Sequence, residues 1–344
     1  MHAGLSRKVR LSKRSLGVLL AIVLLGCQSA PQAALESAVP AATGVGTRAS
    51  IALATSAGLL GLDETGQFLG WIVTLPKGAF PSSPALHPSG KQIVFALAQT
   101  LEGIGFGSDI YSVNLDGTDL RALITRESAD VFYASPSFDT SGALYVHRRA
   151  AKKDASNPSV YLETDDRIVR LDLQTGEVRT VVSDGTEPVV QPDGKTLVYI
   201  RVDRGQQAGL YTVSTDGKNP QPLLKTGDSF WFLQAPRVSP DGRQVAWSSA
   251  GRRTSRRDAA PDGYGGKLAH LDIPSQLYVA PVDGSSLRSI ATTMDDVTPA
   301  WSPDGTKIAY VAIGTFFVVS VGDGAVITQS RAAGITYGDP VFLR

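Results

Sequence analysis

Pro299-Ala300-Trp301-Ser302-Pro303-Asp304-Gly305, followed by Lys307-Ile308-Ala309-Tyr310-Val311, is one copy of a phrase that the chain writes about six times. Each copy opens on a proline, closes on a Pro-Asp-Gly-type turn and leads into an apolar strand pattern. Pro236 through Pro240-Asp241-Gly242 and Pro188 through Pro192-Asp193-Gly194 are clear copies. Pro84 leading to Pro88-Ser89-Gly90 and Pro136 leading to Asp139-Thr140-Ser141-Gly142 are weaker, and Pro340 opens a truncated one. Successive leading prolines lie 52, 52, 48, 63 and 41 residues apart, the period of one four-stranded propeller blade with loops of varying length.

A second half accompanies each copy: Leu59 to Gly66, Ile110 to Gly117, Ile168 to Gly176, Leu210 to Gly217, Leu277 to Gly284 and Phe316 to Gly324. Proline cannot donate to a ladder, so it suits the first residue of a strand, and the alternation behind it reads as the next strand. Asp116-Gly117, Asp216-Gly217 and Asp283-Gly284 are short-hairpin signals, because glycine accepts the positive φ that closes such a turn. The chain opens with an unmatched second half, Ile51 to Val73, and closes with an unmatched first half from Pro340. Joining them predicts an all-β fold: a six-bladed β-propeller of four-stranded antiparallel blades, the last blade closed by both termini.

Arg7, Lys8, Arg10, Lys13 and Arg14 precede an apolar run from Leu16 to Leu25, the pattern of a secretory signal and too short for an ordinary membrane span. Leu24-Leu25-Gly26-Cys27 resembles the lipobox of bacterial lipoproteins, which implies cleavage before Cys27 and acylation of its thiol and amino group. Cys27 is the one cysteine, so no internal disulfide can form. The expected domains are a cleaved signal peptide over 1–26, a lipidated Cys27 with a flexible Ala-, Pro-, Ser- and Gly-rich tether over 27–48, and a propeller over 49–344. In the lipoproteins this resembles, Gln28 favours the outer membrane where an organism has two membranes. Loss of the signal leaves 28 basic against 32 acidic residues, a balance that gives no electrostatic case for nucleic-acid binding.

The Ser-Pro-Asp-Gly turn, the Ile308-Ala309-Tyr310-Val311 strand and the Leu277-Tyr278-Val279 run ending at Asp283-Gly284 resemble the TolB-like β-propeller repeat over roughly residues 50 to 344. The resemblance implies the fold more than a function, since the matching residues are turn formers and core strands. TolB carries a further domain ahead of its propeller, where this chain has a tether, so its role in the Tol–Pal system does not transfer.

Long connections, Gln99 to Ser108, His147 to Asp166, Val202 to Ala208 and Ser249 to Gln276, are expected on one face. Aromatic residues at the blade entries, Phe132, Tyr133, Phe230, Trp231, Phe232 and Tyr337, are the candidate binding face, with capping of blade cores as the plainer alternative. Three bulky residues in a row, Phe230 to Phe232, cannot all point inward from a strand. Ser83, Ser135, Glu187, Ala235, Thr298 and Asp339 directly precede the leading prolines. Glu187 and Asp339, three blades apart, and Asp296 are candidate channel-mouth acids, fewer ligands than calcium requires. Arg252-Arg253-Thr254-Ser255-Arg256-Arg257 forms a local basic cluster. No Gly-x-Ser-x-Gly elbow, His-Glu-x-x-His or phosphate loop is present, so no catalytic residue, metal or cofactor is assigned. The expected function is a monomeric, lipid-anchored, non-catalytic propeller binding an envelope protein, peptide or polymer. The alternative is a channel-centred lyase, lactonase or glycan hydrolase.

Overall fold

The computed structural model describes residues 39–40, 44–157, 161–203, 205–224, 229–230, 232–249, 252–253, 275–331, 335 and 337–343. Among them one helical turn, Val45–Arg48, precedes a succession of antiparallel strands. None of the described helix is long and apolar enough to cross a membrane. The signal segment and Cys27 lie outside the described residues.

Phe80–Leu86, Gln92–Leu101, Gly105–Asn114 and Arg121–Ile124 form one run of four strands, and Val131–Phe138, Leu144–Lys153, Tyr161–Leu171 and Val178–Ser183 form the next. A single parallel pair, Ser108 with Phe132, links these two runs into an eight-stranded sheet. Gly185–Val190, Thr196–Asp203, Gln206–Ser214 and Gln221–Pro222 make a third run. Leu233–Val238, Gln244–Ser249, Ser275–Pro281 and Arg288–Thr293 make a fourth, and Ala300–Trp301, Lys307–Ala312, Thr315–Ser320 and Val326–Ser330 a fifth.

The remaining sheet draws on both ends of the chain. Asp339–Phe342 pairs antiparallel with Ile51–Thr55, placing Ile51 opposite Phe342 and Ala54 opposite Asp339; Gly58–Leu62, Phe68–Thr74 and Val39–Pro40 follow outward. Part of the segment expected as a structureless tether is therefore docked. Val39–Pro40 pairs with Phe68–Thr74, and the helical turn buries Val45 against Gly61 and Gly70, where a Cβ would lie 2.8 and 3.0 Å from its methyl carbons.

Two of the expected long loops are mostly ladder. Pairing continues from Gln92 opposite Asn114 out to Leu101 opposite Gly105, and from Leu144 opposite Leu171 out to Lys153 opposite Tyr161. Their polar residues hid this from a reading by hydrophobicity, because the outer parts of both hairpins reach beyond the apolar core. Arg252 and Arg253 of the expected basic cluster pair with Phe230 and Ser229 in a short ladder; residues 254–274 lie outside the described residues.

The leading prolines also depart from expectation. Pro84, Pro136, Pro188 and Pro236 sit inside their strands, not at the start, and each coincides with a break in register. The residue before each is held at positive φ: Ser83 at +49°, Ser135 at +50°, Glu187 at +51° and Ala235 at +48°. A β-bulge is where a sheet tolerates a residue that cannot donate. The Asp-Gly turns at the other end of the strands dock on the neighbouring run: a Cβ on Gly217 would lie 2.3 Å from the Val181 carbonyl oxygen, and one on Gly284 2.0 Å from that of Leu223.

Apolar clusters lie between consecutive runs. Val94, Ala96 and Ile110 meet Val131 and Leu144; Tyr145 and Ile168 meet Val190 and Leu197; Val198 and Ile200 meet Val245 and Trp247. Ala246 and Leu277 meet Trp301 and Ile308; Ala309 and Val311 meet Ile51 and Leu53; Ala52 and Leu59 meet Ile93 and Phe95 of the first run. Trp247 is fully buried, stacked 5.7 Å from Tyr278 and met edge-on by Phe230 at 5.7 Å. Trp247→Ala should therefore lose about 3–5 kcal/mol in urea unfolding, whereas Trp247→Phe, which keeps a ring and removes an indole N–H that has no acceptor among the described residues, should lose clearly less.

Candidate functional site

All six residues that precede a leading proline line one cavity of about 640 Å3. Its wall also takes Phe132, His147, Arg149, Thr164, Gln207, Gln234, Arg237 and Tyr337. At Ser83, Ser135, Glu187 and Ala235 the bulge at the X-Pro step takes the residue before the proline out of the ladder, whereas Asp339 stays paired opposite Ala54.

Two of the three candidate acids join adjacent strand runs. The backbone N–H of Ser83 donates to Asp339 Oδ2 at 2.7 Å, and the Tyr337 hydroxyl donates to Asp339 Oδ1 at 2.8 Å. The Ala235 N–H donates to Glu187 Oε2. In both cases a carboxylate of one run takes the amide of the positive-φ residue in the next. Burial pushes the Glu187 carboxyl above its ordinary value, opposed by the Ala235 amide and by the charges of Arg237 and Arg149. Burial also drives the Tyr337 hydroxyl well above its ordinary value, with Asp339 adding to the shift. Asp296 is not part of the lining; its Oδ1 accepts from the Ser275 hydroxyl at 2.7 Å.

Arg237 and a second cluster were not anticipated from the sequence. Arg237 directly follows Pro236, where the other copies carry Ala85, Ser137, Val189, Ala300 and Val341; a single charged residue in that slot was a signal available beforehand. Burial lowers its guanidinium from the ordinary value, while Glu187 and Asp339 act through space to raise it. On the wall made by Leu144–Lys153 and Tyr161–Leu171, His147 Nε2 and Asp166 Oδ1 lie 2.7 Å apart, and Arg149 Nε donates to the same oxygen at 2.7 Å. Thr164 donates to Asp166 Oδ2 at 3.0 Å. Burial works to raise Asp166, but the bonds from His147 and Arg149 outweigh it and hold the carboxyl at about 2.

The aromatic candidates separate. Tyr133 and Phe230 are core residues, each 6% exposed, with Phe230 against Trp247 and Tyr278. They pack inward because each lies on the apolar side of its strand. Phe132 lines the cavity and meets the exposed Phe106 edge-on at 5.8 Å. Tyr337 lines it too and remains 49% exposed. Phe232 is half-buried outside the lining, and Trp231 lies outside the described residues. Among the described residues no group of three His, Cys, Asp or Glu is placed to hold a metal.

Strand order and cavity together place the chain in a class. Its fold is similar to TolB from Acinetobacter baumannii, with a TM-score of 0.63 and 17% identity over 85% of this chain and 66% of that one. It is also similar to a chain of the nidogen/laminin complex, with a TM-score of 0.61 and 10% identity over 86% of this chain and 98% of that one. In sequence, the uncharacterized peptidase YuxL of Bacillus subtilis is 26% identical over 215 residues, 56% of this chain and 32% of that protein. The chain thus spans about a third of that relative's length. No family model matches. The fold is a β-propeller, similar to that of TolB.

Asp339→Ala leaves the Ser83 N–H and the Tyr337 hydroxyl without their acceptor and should lower unfolding free energy by about 1–3 kcal/mol for each group left unpaired; Asp339→Asn, which keeps one acceptor oxygen, should lose less. A second expectation concerns pH. Burial lowers His147 below its ordinary 6.5, with the Asp166 bond acting in the opposite direction. The folded chain then binds that proton less readily than the unfolded chain, so this stability is fully present above pH 6.5 and is lost as pH falls. Asp166 adds a second loss as pH falls from its ordinary 3.8 towards 2. The melting temperature should drop from about pH 7 to about pH 5, and His147→Gln, which can still donate to Asp166, should flatten that part of the curve.

Proposed function

We propose that this chain is a non-catalytic β-propeller of six four-stranded blades, closed by strands from both termini, that binds a partner at the mouth of its central channel. The single observation that carries this is the convergence of all six pre-proline residues, from every copy of the repeat, on one cavity. Closure is supported by the pairing of Asp339–Phe342 with Ile51–Thr55 and by apolar clusters that run from each strand run to the next and back to the first. The partner is a protein, peptide or polymer of the bacterial envelope. Cys27 carries the lipid that holds the propeller there, on an outer membrane where the organism has one.

A binding role is favoured by how the channel spends its titratable groups. His147 is 7% exposed, its Nε2 is committed to Asp166, and that carboxylate is held at about 2 by His147 and Arg149. Burial lowers His147 from its ordinary value and its ring is held on Asp166, an arrangement that spends both groups on one another and not on a substrate proton.

A photo-crosslinking residue placed at Phe132 in intact cells tests this against one placed at Lys195, in a tight turn far along the strand from the cavity. The expected outcome is a discrete high-mass adduct from position 132 alone, with Cys27→Ser moving the chain from the membrane to the soluble fraction. Equal adducts from both positions would remove the proposed face, and unchanged membrane retention would remove the anchor.

A further inference from the structure

The cavity is lined by Arg237, Glu187 and Asp339, and apart from the Arg149–Asp166–His147 cluster these charges of opposite sign form no ion pair with one another among the described residues. Arg237 is half-buried, and among the described residues its guanidinium has one hydrogen-bond acceptor, the Pro236 carbonyl at 2.8 Å, and no carboxylate in ion-pair contact. A guanidinium carries five donors. Arg237 lines the cavity, its other donors have no acceptor among the described residues, and Glu187 and Asp339 act on its charge through space. Glu187 in turn uses one oxygen on the Ala235 amide, leaving the other without a donor among the described residues.

An anion bound at Arg237 would face two acids, and a cation bound at those acids would face Arg237. A ligand carrying both charges a few bonds apart gives Arg237 and the two acids each a partner of opposite sign, while Arg149 on the same wall already has Asp166. The volume of about 640 Å3 lies within the roughly 300–1,000 Å3 of small-molecule sites. Phe132 and Tyr337 add apolar wall for a side chain.

We infer that the channel takes a small zwitterion, a free amino acid or a short peptide with both ends free, its carboxylate on Arg237 and its ammonium between Glu187 and Asp339. This rests on the binding role proposed above and names the chemistry of what is bound.

Equilibrium dialysis of the purified full chain against an equimolar pool of free amino acids and alanyl dipeptides, read by mass spectrometry, tests it. The same pool is then presented N-acetylated and, separately, C-amidated. The expected result is retention of members of the free pool, with both capped pools weakened about tenfold or more. Retention of amino acids or of dipeptides tells the two sources apart. Arg237→Gln should bind free acid and amide alike, and Glu187→Gln should bind free amine and acetyl alike. The capped pools on the unaltered chain decide the matter even if a variant fails to fold. No retention of the free pool at about millimolar concentration, or equal retention of either capped pool, overturns the inference. If that happens while position 132 still crosslinks in cells, the zwitterion is lost and the binding face stands; loss of both removes the face as well.

Discussion

An L-residue held at positive φ immediately before a proline is the constraint on which the channel depends. Ser83, Ser135, Glu187 and Ala235 all adopt it, in four consecutive inner strands. A non-glycine residue in this region costs on the order of 1–3 kcal/mol, and the proline that follows restricts the same residue further. The arrangement persists because the surroundings over-determine it. The proline occupies the bulge where no ladder donor is required, and in two of the four cases the strained residue's amide finds a carboxylate from the preceding run. At Ser83 and Ala235, strain, bulge and a hydrogen bond from the neighbouring run coincide; at Ser135 and Glu187 the strain and the bulge occur together.

This coincidence changes the meaning of the channel acids. Glu187 and Asp339 look, in sequence, like solvated loop carboxylates or free ligands. In the structure each already accepts a backbone amide, so each is structural before it is anything else. That does not remove them from recognition, because a carboxylate has about four lone-pair sites. It does bias their role towards fixed charge. A carboxylate pinned by an amide presents a cation with one geometry, and it contributes orientation where a mobile side chain would contribute only attraction.

The fold was legible because its determinants are local and repeated. Turn chemistry such as Ser302-Pro303-Asp304-Gly305 does the same work wherever it occurs: Asp304 Oδ1 accepts from the Ser302 and Thr306 hydroxyls and the Thr306 amide, which holds its carboxyl at about 2. The channel was half legible. The pre-proline positions could be found by counting, but which aromatic residues reach the cavity depends on strand face. Tyr133 and Phe132 are neighbours in sequence, and one is core while the other is wall. The Arg149–Asp166–His147 cluster was hidden for a different reason. It is made by pairing across a hairpin, with Arg149 opposite Asp166, and the outer part of that hairpin resembles a polar loop until its register is known.

The repeat therefore carries two kinds of information at its two ends. At the Asp-Gly end, residues such as Gly217 and Gly284 are fixed by backbone contacts with the neighbouring run, and any side chain there meets a carbonyl oxygen closer than van der Waals contact allows. That end is closed to variation. At the proline end, the residue before each leading proline lines the cavity, and of the residues that follow those prolines Arg237 does so too. Serine, alanine, threonine and two acids occupy the first slot, and Arg237 the second. Serine, alanine and glutamate are all compatible with the same positive-φ backbone at Ser83, Ser135, Glu187 and Ala235, whereas the acids at Glu187 and Asp339 also hold the amide of a neighbouring strand, so at those two slots the charge facing the cavity and the scaffold are the same group.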